Sequence, residues 1–145
     1  MKAGDFSQLA ECYVDRPCYG SLMRDNLLKL VEASGDDFVA VDVGAGTGKW
    51  TRQLAEACRK VIAIEPCDEM REKGVHYTKE FCNVSWYGAR AEATGLENGC
   101  ASWVTMASSF HWVDPQRALP EFHRILKKTV SLPFYIIPGI WKNFL

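Results

Sequence analysis

Phe38-Val-Ala-Val-Asp-Val-Gly-Ala-Gly-Thr-Gly-Lys-Trp-Thr51 changes its period midway. Phe38 to Val43 is mostly apolar and β-branched, the pattern of a strand buried on both faces. Gly44, Gly46 and Gly48 then occupy every second position. Trp50, Leu54 and Ala57 fall at i, i+4 and i+7, which predicts a helix with one apolar face. Strand, glycine turn and helix open a nucleotide-binding βαβ unit. Glycines let the backbone turn tightly and let a ligand approach where a Cβ would stand. The N–H groups at the helix start are expected to point at that ligand. Asp42 ends the strand, and its carboxylate is expected to face a ligand amine.

The glycine spacing discriminates between ligands. The dinucleotide fingerprint is G-x-G-x-x-G. Here Gly48 comes one residue early and Lys49 holds the third fingerprint position. No Gly-Lys-Ser/Thr closes the loop, which excludes a phosphate-binding P-loop. A plain βα turn is the alternative for this stretch taken alone. The next strand weighs against it. Val61-Ile-Ala-Ile64 ends at Glu65 and is stopped by Pro66, roughly twenty residues past the loop, where Rossmann-like folds place an acid on ribose hydroxyls. A carboxylate offers two acceptor oxygens to two vicinal donors.

The flanking chain continues the alternation. Leu22 to Ala33 reads as a helix, with Met23, Leu27, Leu30 and Val31 on one face and Gly35 as C-cap. Asp68 to Phe81 reads as a helix with Asp68 as N-cap and Met70, Tyr77 and Phe81 inward, although Gly74 weakens its continuity. Val84 to Tyr87 and Ala101 to Met106 are a third and a fourth strand. Asp114-Pro115 combines N-cap and N1 chemistry ahead of a helix with Ala118, Phe122, Ile125 and Leu126 inward. Such alternation predicts an α/β fold, a Rossmann-like parallel sheet with helices on both faces. Ligands of such sheets lie at the carboxyl ends of the strands. Asp42, Glu65, Glu92 and His111 all fall at or just past those ends.

Composition bounds the function. The 145 residues fit one domain. The formal charge of −1 provides no basic surface for nucleic acid. Six scattered cysteines form no C-x-x-C, and the histidines are not at zinc spacing, so no metal is expected. Cys58 and Cys100 sit among apolar neighbours and read as small core residues. No signal peptide and no apolar run long enough to span a bilayer is visible, so a reduced, cytoplasmic setting is expected.

Four blocks together resemble a known family. They are Tyr13-Val-Asp-Arg-Pro-Cys-Tyr19, Asp42-Val-Gly-Ala-Gly-Thr-Gly48, Ile64-Glu-Pro66 with Met70, and Ala91-Glu-Ala-Thr-Gly-Leu96 running on to Phe110-His-Trp112 and Ala118 to Leu126. In this order and spacing they resemble the class I S-adenosylmethionine-dependent methyltransferases of the type 11 group. Within it they are most similar to the trans-aconitate methyltransferase-like members. The resemblance runs from residue 6 to about 127. It implies S-adenosyl-L-methionine as cofactor, with Asp42, Gly44, Ala45 and Gly46 around its methionine part and Glu65, followed by Pro66, on the ribose. It further implies Ala91 and Glu92 beside the adenine, with Arg90 next to them, and Ser108 near the sulfonium. Tyr13 and Arg16 of the N-terminal arm would close over the cofactor. Methyl transfer is an in-line displacement, so alignment matters more than acid–base chemistry. His111 is the candidate base for an acceptor that must lose a proton, and a packing histidine beside Trp112 is the alternative. The acceptor implied is a small molecule, by analogy a carboxylic acid.

The C-terminus departs from the family. Residues 1–20 form the arm, 21–128 the cofactor-binding core, and 129–145 a divergent tail. Val130 to Ile137 reads as a fifth strand, with Pro133 arguing against a central place. Nothing remains for further strands, so the sheet is expected to be incomplete at its C-terminal edge. The tail carries Phe134, Tyr135, Ile136, Ile137, Ile140, Trp141 and Phe144, an apolar set that invites self-association. Ser102 stands where the family carries an acid. Two other functions stay open on the sequence. One is a catalytically inactive S-adenosylmethionine-binding fragment acting through a partner. The other is a nicotinamide-dependent oxidoreductase, against which Lys49 counts.

Overall fold

β1 (Val39–Val43) is the central strand, because it carries side chains that can be buried on both faces. The computed structural model describes residues 20–128 and the backbone of Phe134–Ile137. Tyr13, Arg16, Cys12, Cys18 and most of the apolar tail lie outside the described residues. The elements around β1 are α1 (Ser21–Leu30), α2 (Lys49–Ala55), β2 (Lys60–Ile64), α3 (Asp68–Tyr77), β3 (Val84–Tyr87), β4 (Trp103–Ala107), α4 (Pro115–Ile125) and β5 (Phe134–Ile137). A 3₁₀ turn, Phe110–Trp112, joins β4 to α4.

The five strands form one sheet in the order β3-β2-β1-β4-β5, every pair parallel. The order reverses between β1 and β4, so the ligand crevice of such a sheet opens there. Pleating divides the core. Val41, Val43, Ile62, Ile64, Val104 and Met106 face α4 and bury Ala118, Phe122 and Ile125. Ala40, Val61 and Trp103 face the other way, against Trp50 and Leu54 of α2 and the half-buried Met23, Leu27 and Leu28 of α1. Helices therefore cover both faces, as the alternation predicts. Among the described residues β5 pairs with β4 and ends the strand order.

Several helix boundaries differ from the sequence reading. α1 ends at Leu30, and the positive-φ residue that closes it is Glu32 (φ 50°); Gly35, also at positive φ, lies beyond the cap. Glu32 N–H donates to Lys29 O and Ala33 N–H to Leu28 O, a Schellman closure that leaves Leu30 49% exposed. α2 stops at Ala55, so Ala57 is exposed and the inward face is Trp50, Thr51, Leu54 and Ala55. In α3 the N-cap is Cys67, while Asp68 sits one residue inside and pairs with Arg71. α3 ends at Tyr77, before Phe81, and Tyr77 is exposed. Cys58 is buried as expected, which pushes its thiol up to about 11; Cys100 packs half-buried against the core.

Gly74 does not interrupt α3, because its missing side chain is occupied by Trp86. A Cβ on Gly74 would lie 2.2 Å from the Trp86 ring, and one on Gly48 would lie 3.1 Å from it. The indole is fixed by its N–H donating to Thr78 Oγ1 at 3.0 Å, while that hydroxyl donates to Gly74 O at 2.8 Å. Gly74→Ala is therefore expected to destabilise the fold by about 1–3 kcal/mol, the usual scale of overpacking, despite alanine's better helix propensity. Urea unfolding checks this; a stabilised variant would mean that the ring swings away freely.

Candidate functional site

The site begins where β1 stops. Gly44, Gly46 and Gly48 take φ values of 70°, 57° and 83°, left-handed conformations that a side chain disfavours. The loop is pinned to the end of β2, with Gly44 N–H and Ala45 N–H both donating to Ile64 O at 2.8 and 3.0 Å. Gly46 N–H donates to Glu65 Oε2 at 2.8 Å, and Gly48 N–H to Ala45 O at 3.0 Å. These four loop amides are thus bonded within the chain. The left-handed turns fold them inward. What the loop offers a ligand is clearance, and that clearance is at Gly46, where a Cβ would meet only Met70 Sδ at 3.8 Å. At Gly44 the approaching atoms belong to Ser109, with Oγ 2.5 Å from a Cβ placed there.

Glu65 is the charged group held against this loop. It is 6% exposed. Its Oε2 accepts Gly46 N–H, and its Oε1 accepts Cys67 N–H at 2.9 Å. Burial pushes its carboxyl above the ordinary range, while those two N–H groups and the Arg71 charge pull it back. Arg71 Nη1 also donates to Glu65 O at 2.9 Å. Each carboxylate oxygen keeps a second lone pair, so the fixed carboxylate can still accept two hydroxyls. Pro66 beside it is exposed.

Asp42 is placed differently from the expectation. It lies inside β1, fully buried, with its Oδ2 accepting the Thr51 hydroxyl at 2.7 Å. Its Oδ1 has no partner among the described residues, and neither has Thr105 Oγ1, which stands in register with it on β4. Burial first, and the nearby Glu65 charge, push the Asp42 carboxyl up to about 7. Its carboxylate is thus covered by α2, because alternation along β1 turns residue 42 to the same face as Ala40.

The remaining loops gather at the same edge of the sheet. Ala91 is buried in the core beside Val43 and Ile64. Glu92 instead turns its Oε1 to accept Asp114 N–H at 2.9 Å, and so supports the start of α4. Thr94 anchors this loop through Glu121, which accepts its N–H and hydroxyl at 2.8 and 2.6 Å. Arg124, bonded to Glu121, holds that carboxyl down at about 2. His111 is exposed, its ring 4.6 Å from that of Trp112. Ser108 has φ 62°, and Ser109 donates to Val43 O at 3.1 Å. Ser109 was not among the expected site residues. Its only sequence signal is that it follows Ser108 where β4 ends.

Ser102 Oγ accepts Val39 N–H at 3.1 Å and donates to Asp37 O at 3.4 Å, tying the start of β1 to the chain ahead of β4. Among the described residues no cluster could hold a metal, and no helix is long and apolar enough to cross a membrane.

A parallel sheet with this order, a glycine loop after β1 and a clamped acid after β2 defines a Rossmann-like domain that binds a nucleoside-containing cofactor. The chain belongs to the methyltransferase domain family of type 11, whose model matches residues 41–132. It is 39% identical over 87 residues to an uncharacterized methyltransferase of Mycobacterium tuberculosis, covering 60% of this chain and 35% of that protein. It is 29% identical over 130 residues to a Dictyostelium discoideum protein named as a methyltransferase, covering 88% of this chain and 46% of the other. The chain therefore spans between a third and a half of these relatives. An S-adenosylmethionine-dependent methyltransferase from Aquifex aeolicus shares the fold, with TM-score 0.72 and 23% identity over 83% of this chain and 67% of that one. The geranyl diphosphate C-methyltransferase of Streptomyces coelicolor, solved with S-adenosyl-L-homocysteine, also shares it, with TM-score 0.66 and 20% identity over 74% of this chain and 40% of that one. The cofactor of this class is S-adenosyl-L-methionine.

Proposed function

We propose that the chain binds S-adenosyl-L-methionine across the carboxyl ends of β1, β2 and β3 and supports methyl transfer to a small-molecule acceptor. The observation that carries this reading is the buried Glu65 carboxylate, clamped by Gly46 and Cys67 N–H groups with lone pairs to spare. In this reading Glu65 accepts the ribose hydroxyls, Gly46 leaves room for the methionine part, and Ala91 walls the adenine. Ser108 lies toward the sulfonium, and Tyr13 and Arg16 close over the cofactor. The cofactor supplies an activated methyl group on a positively charged sulfur. The protein's task is alignment of acceptor, methyl and sulfur, which is worth about 7–11 kcal/mol in well-oriented reactions. His111, exposed past β4, is the group that takes a proton from an acceptor that must lose one. The four-block resemblance to trans-aconitate methyltransferase-like proteins supports a small carboxylic acid as acceptor.

Calorimetric titration of the purified chain with S-adenosyl-L-methionine, with NAD as control, tests this reading. Saturable binding of the first and none of the second is expected. NAD binding alone would overturn it.

A further inference from the structure

We propose that Ser109 is a positioning residue that locks the turn carrying His111 and Trp112 onto the cofactor loop at Gly44. The proposal rests on the cofactor reading above. Ser108 is left-handed at φ 62°, a conformation that costs a residue with a Cβ and persists where its surroundings impose it. The turn that it makes brings Ser109 back across the switch point between β1 and β4. There the Ser109 hydroxyl donates to Val43 O at 3.1 Å. Its Oγ and Cβ fill the hollow over Gly44, 2.5 and 2.7 Å from where a Cβ of residue 44 would stand. No residue with a side chain fits that position while Ser109 stays.

On its other side Ser109 closes the 3₁₀ turn, its carbonyl accepting Trp112 N–H at 3.1 Å. One residue therefore joins the first glycine of the cofactor loop to the turn on the acceptor side. The interior of the sheet is packed like a crystal and transmits displacement. A cofactor seated on the glycine loop at Gly46 displaces the loop against Ser109, and with it His111 and Trp112. Ser109 touches neither reactant in this scheme; it sets where the acceptor-side residues stand once the cofactor is bound.

The test follows the indole signals of the whole chain, labelled with ¹⁵N-tryptophan, during titration with S-adenosyl-L-homocysteine. Trp112 is assigned by Trp112→Phe. In the native chain the Trp112 signal is expected to move saturably. In Ser109→Ala, which keeps the Cβ over Gly44 and removes the hydroxyl, the affinity should stay within about threefold while the Trp112 shift falls by at least half. An undiminished shift in Ser109→Ala would overturn the proposal. Hydrogen exchange of the native chain provides a measurement that needs no variant. The Trp112 amide should exchange at least about threefold more slowly with the ligand bound, and unchanged exchange would overturn the coupling. Loss of all binding heat in the native chain would instead overturn the cofactor reading itself.

Discussion

Asp42→Asn is expected to gain stability relative to the native chain as pH rises from 4 to 8, by up to about 4 kcal/mol. The Asp42 carboxyl titrates near 7 in the folded protein against an ordinary value of 3.8, chiefly because it is fully buried. A folded value above the unfolded one means that the native state holds a proton which the unfolded state has released. The associated stability is fully present below the unfolded value and is lost as pH climbs through about 7. Each unit of difference corresponds to about 1.36 kcal/mol, which sets the upper figure. Asparagine does not ionise, and its amide oxygen can still accept the Thr51 hydroxyl that now meets Oδ2. Its amide N–H₂ also faces the strand bearing Thr105, whose hydroxyl has no partner among the described residues. Glu65 is the charged group that couples to Asp42, and it is common to both proteins. Urea unfolding of both chains across this range decides the matter. A stability gap that does not move with pH would show that Asp42 is ionised throughout, with a water or cation at its open oxygen.

The second large effect is on the cofactor. Glu65→Ala is expected to weaken binding of S-adenosyl-L-homocysteine by about 1–3 kcal/mol, the scale of hydrogen bonds lost to a charged group. Two causes act together. The hydroxyl acceptors disappear, and the N–H groups of Gly46 and Cys67 lose the oxygens that hold them. Titration calorimetry on the variant, with circular dichroism to establish its fold, reads the loss directly. An unchanged dissociation constant would remove Glu65 from the site and take the main support for the proposed function with it.

The two carboxylates illustrate how far the linear pattern reaches. Both were singled out by position at a strand end. Glu65 lies one residue past β2, where the chain leaves the pleat, and its carboxylate lands on the glycine loop as that position implies. Asp42 lies one residue inside β1, so pleat parity decides its direction, and it is turned under α2. A shift of a single residue separates a group at the crevice from a group in the core.

The strands, their order of appearance and the two helix-covered faces were legible in the chain because periodicity of apolar residues is a local property. β1, β2, β3 and β4 lie within two residues of where β-branched runs and turn residues predict them. The N-cap at Asp114 is equally local, since its side chain accepts Gln116 N–H two residues on. Helix ends were less legible. Glu32 at a left-handed position and Cys67 at an N-cap go against residue preference, and packing of the neighbouring core overrides a bias of a few tenths to about 1 kcal/mol.

Contacts between distant segments had no sequence signature at all. Gly74 of α3 leaves its side-chain space to Trp86 of β3. Gly44 is glycine for Ser109 as much as for a ligand, and the amides of the glycine loop are spent on Ile64 and Glu65. Residue type and spacing were enough to announce a Rossmann-like domain for a nucleotide-like ligand, because strand, loop and acid recur at fixed intervals along the chain; the methyltransferase reading came from the resemblance of four sequence blocks to that family. Which atoms face the crevice and which close it from within depended on register across β1, β2 and β4, a quantity that exists only once the sheet has formed.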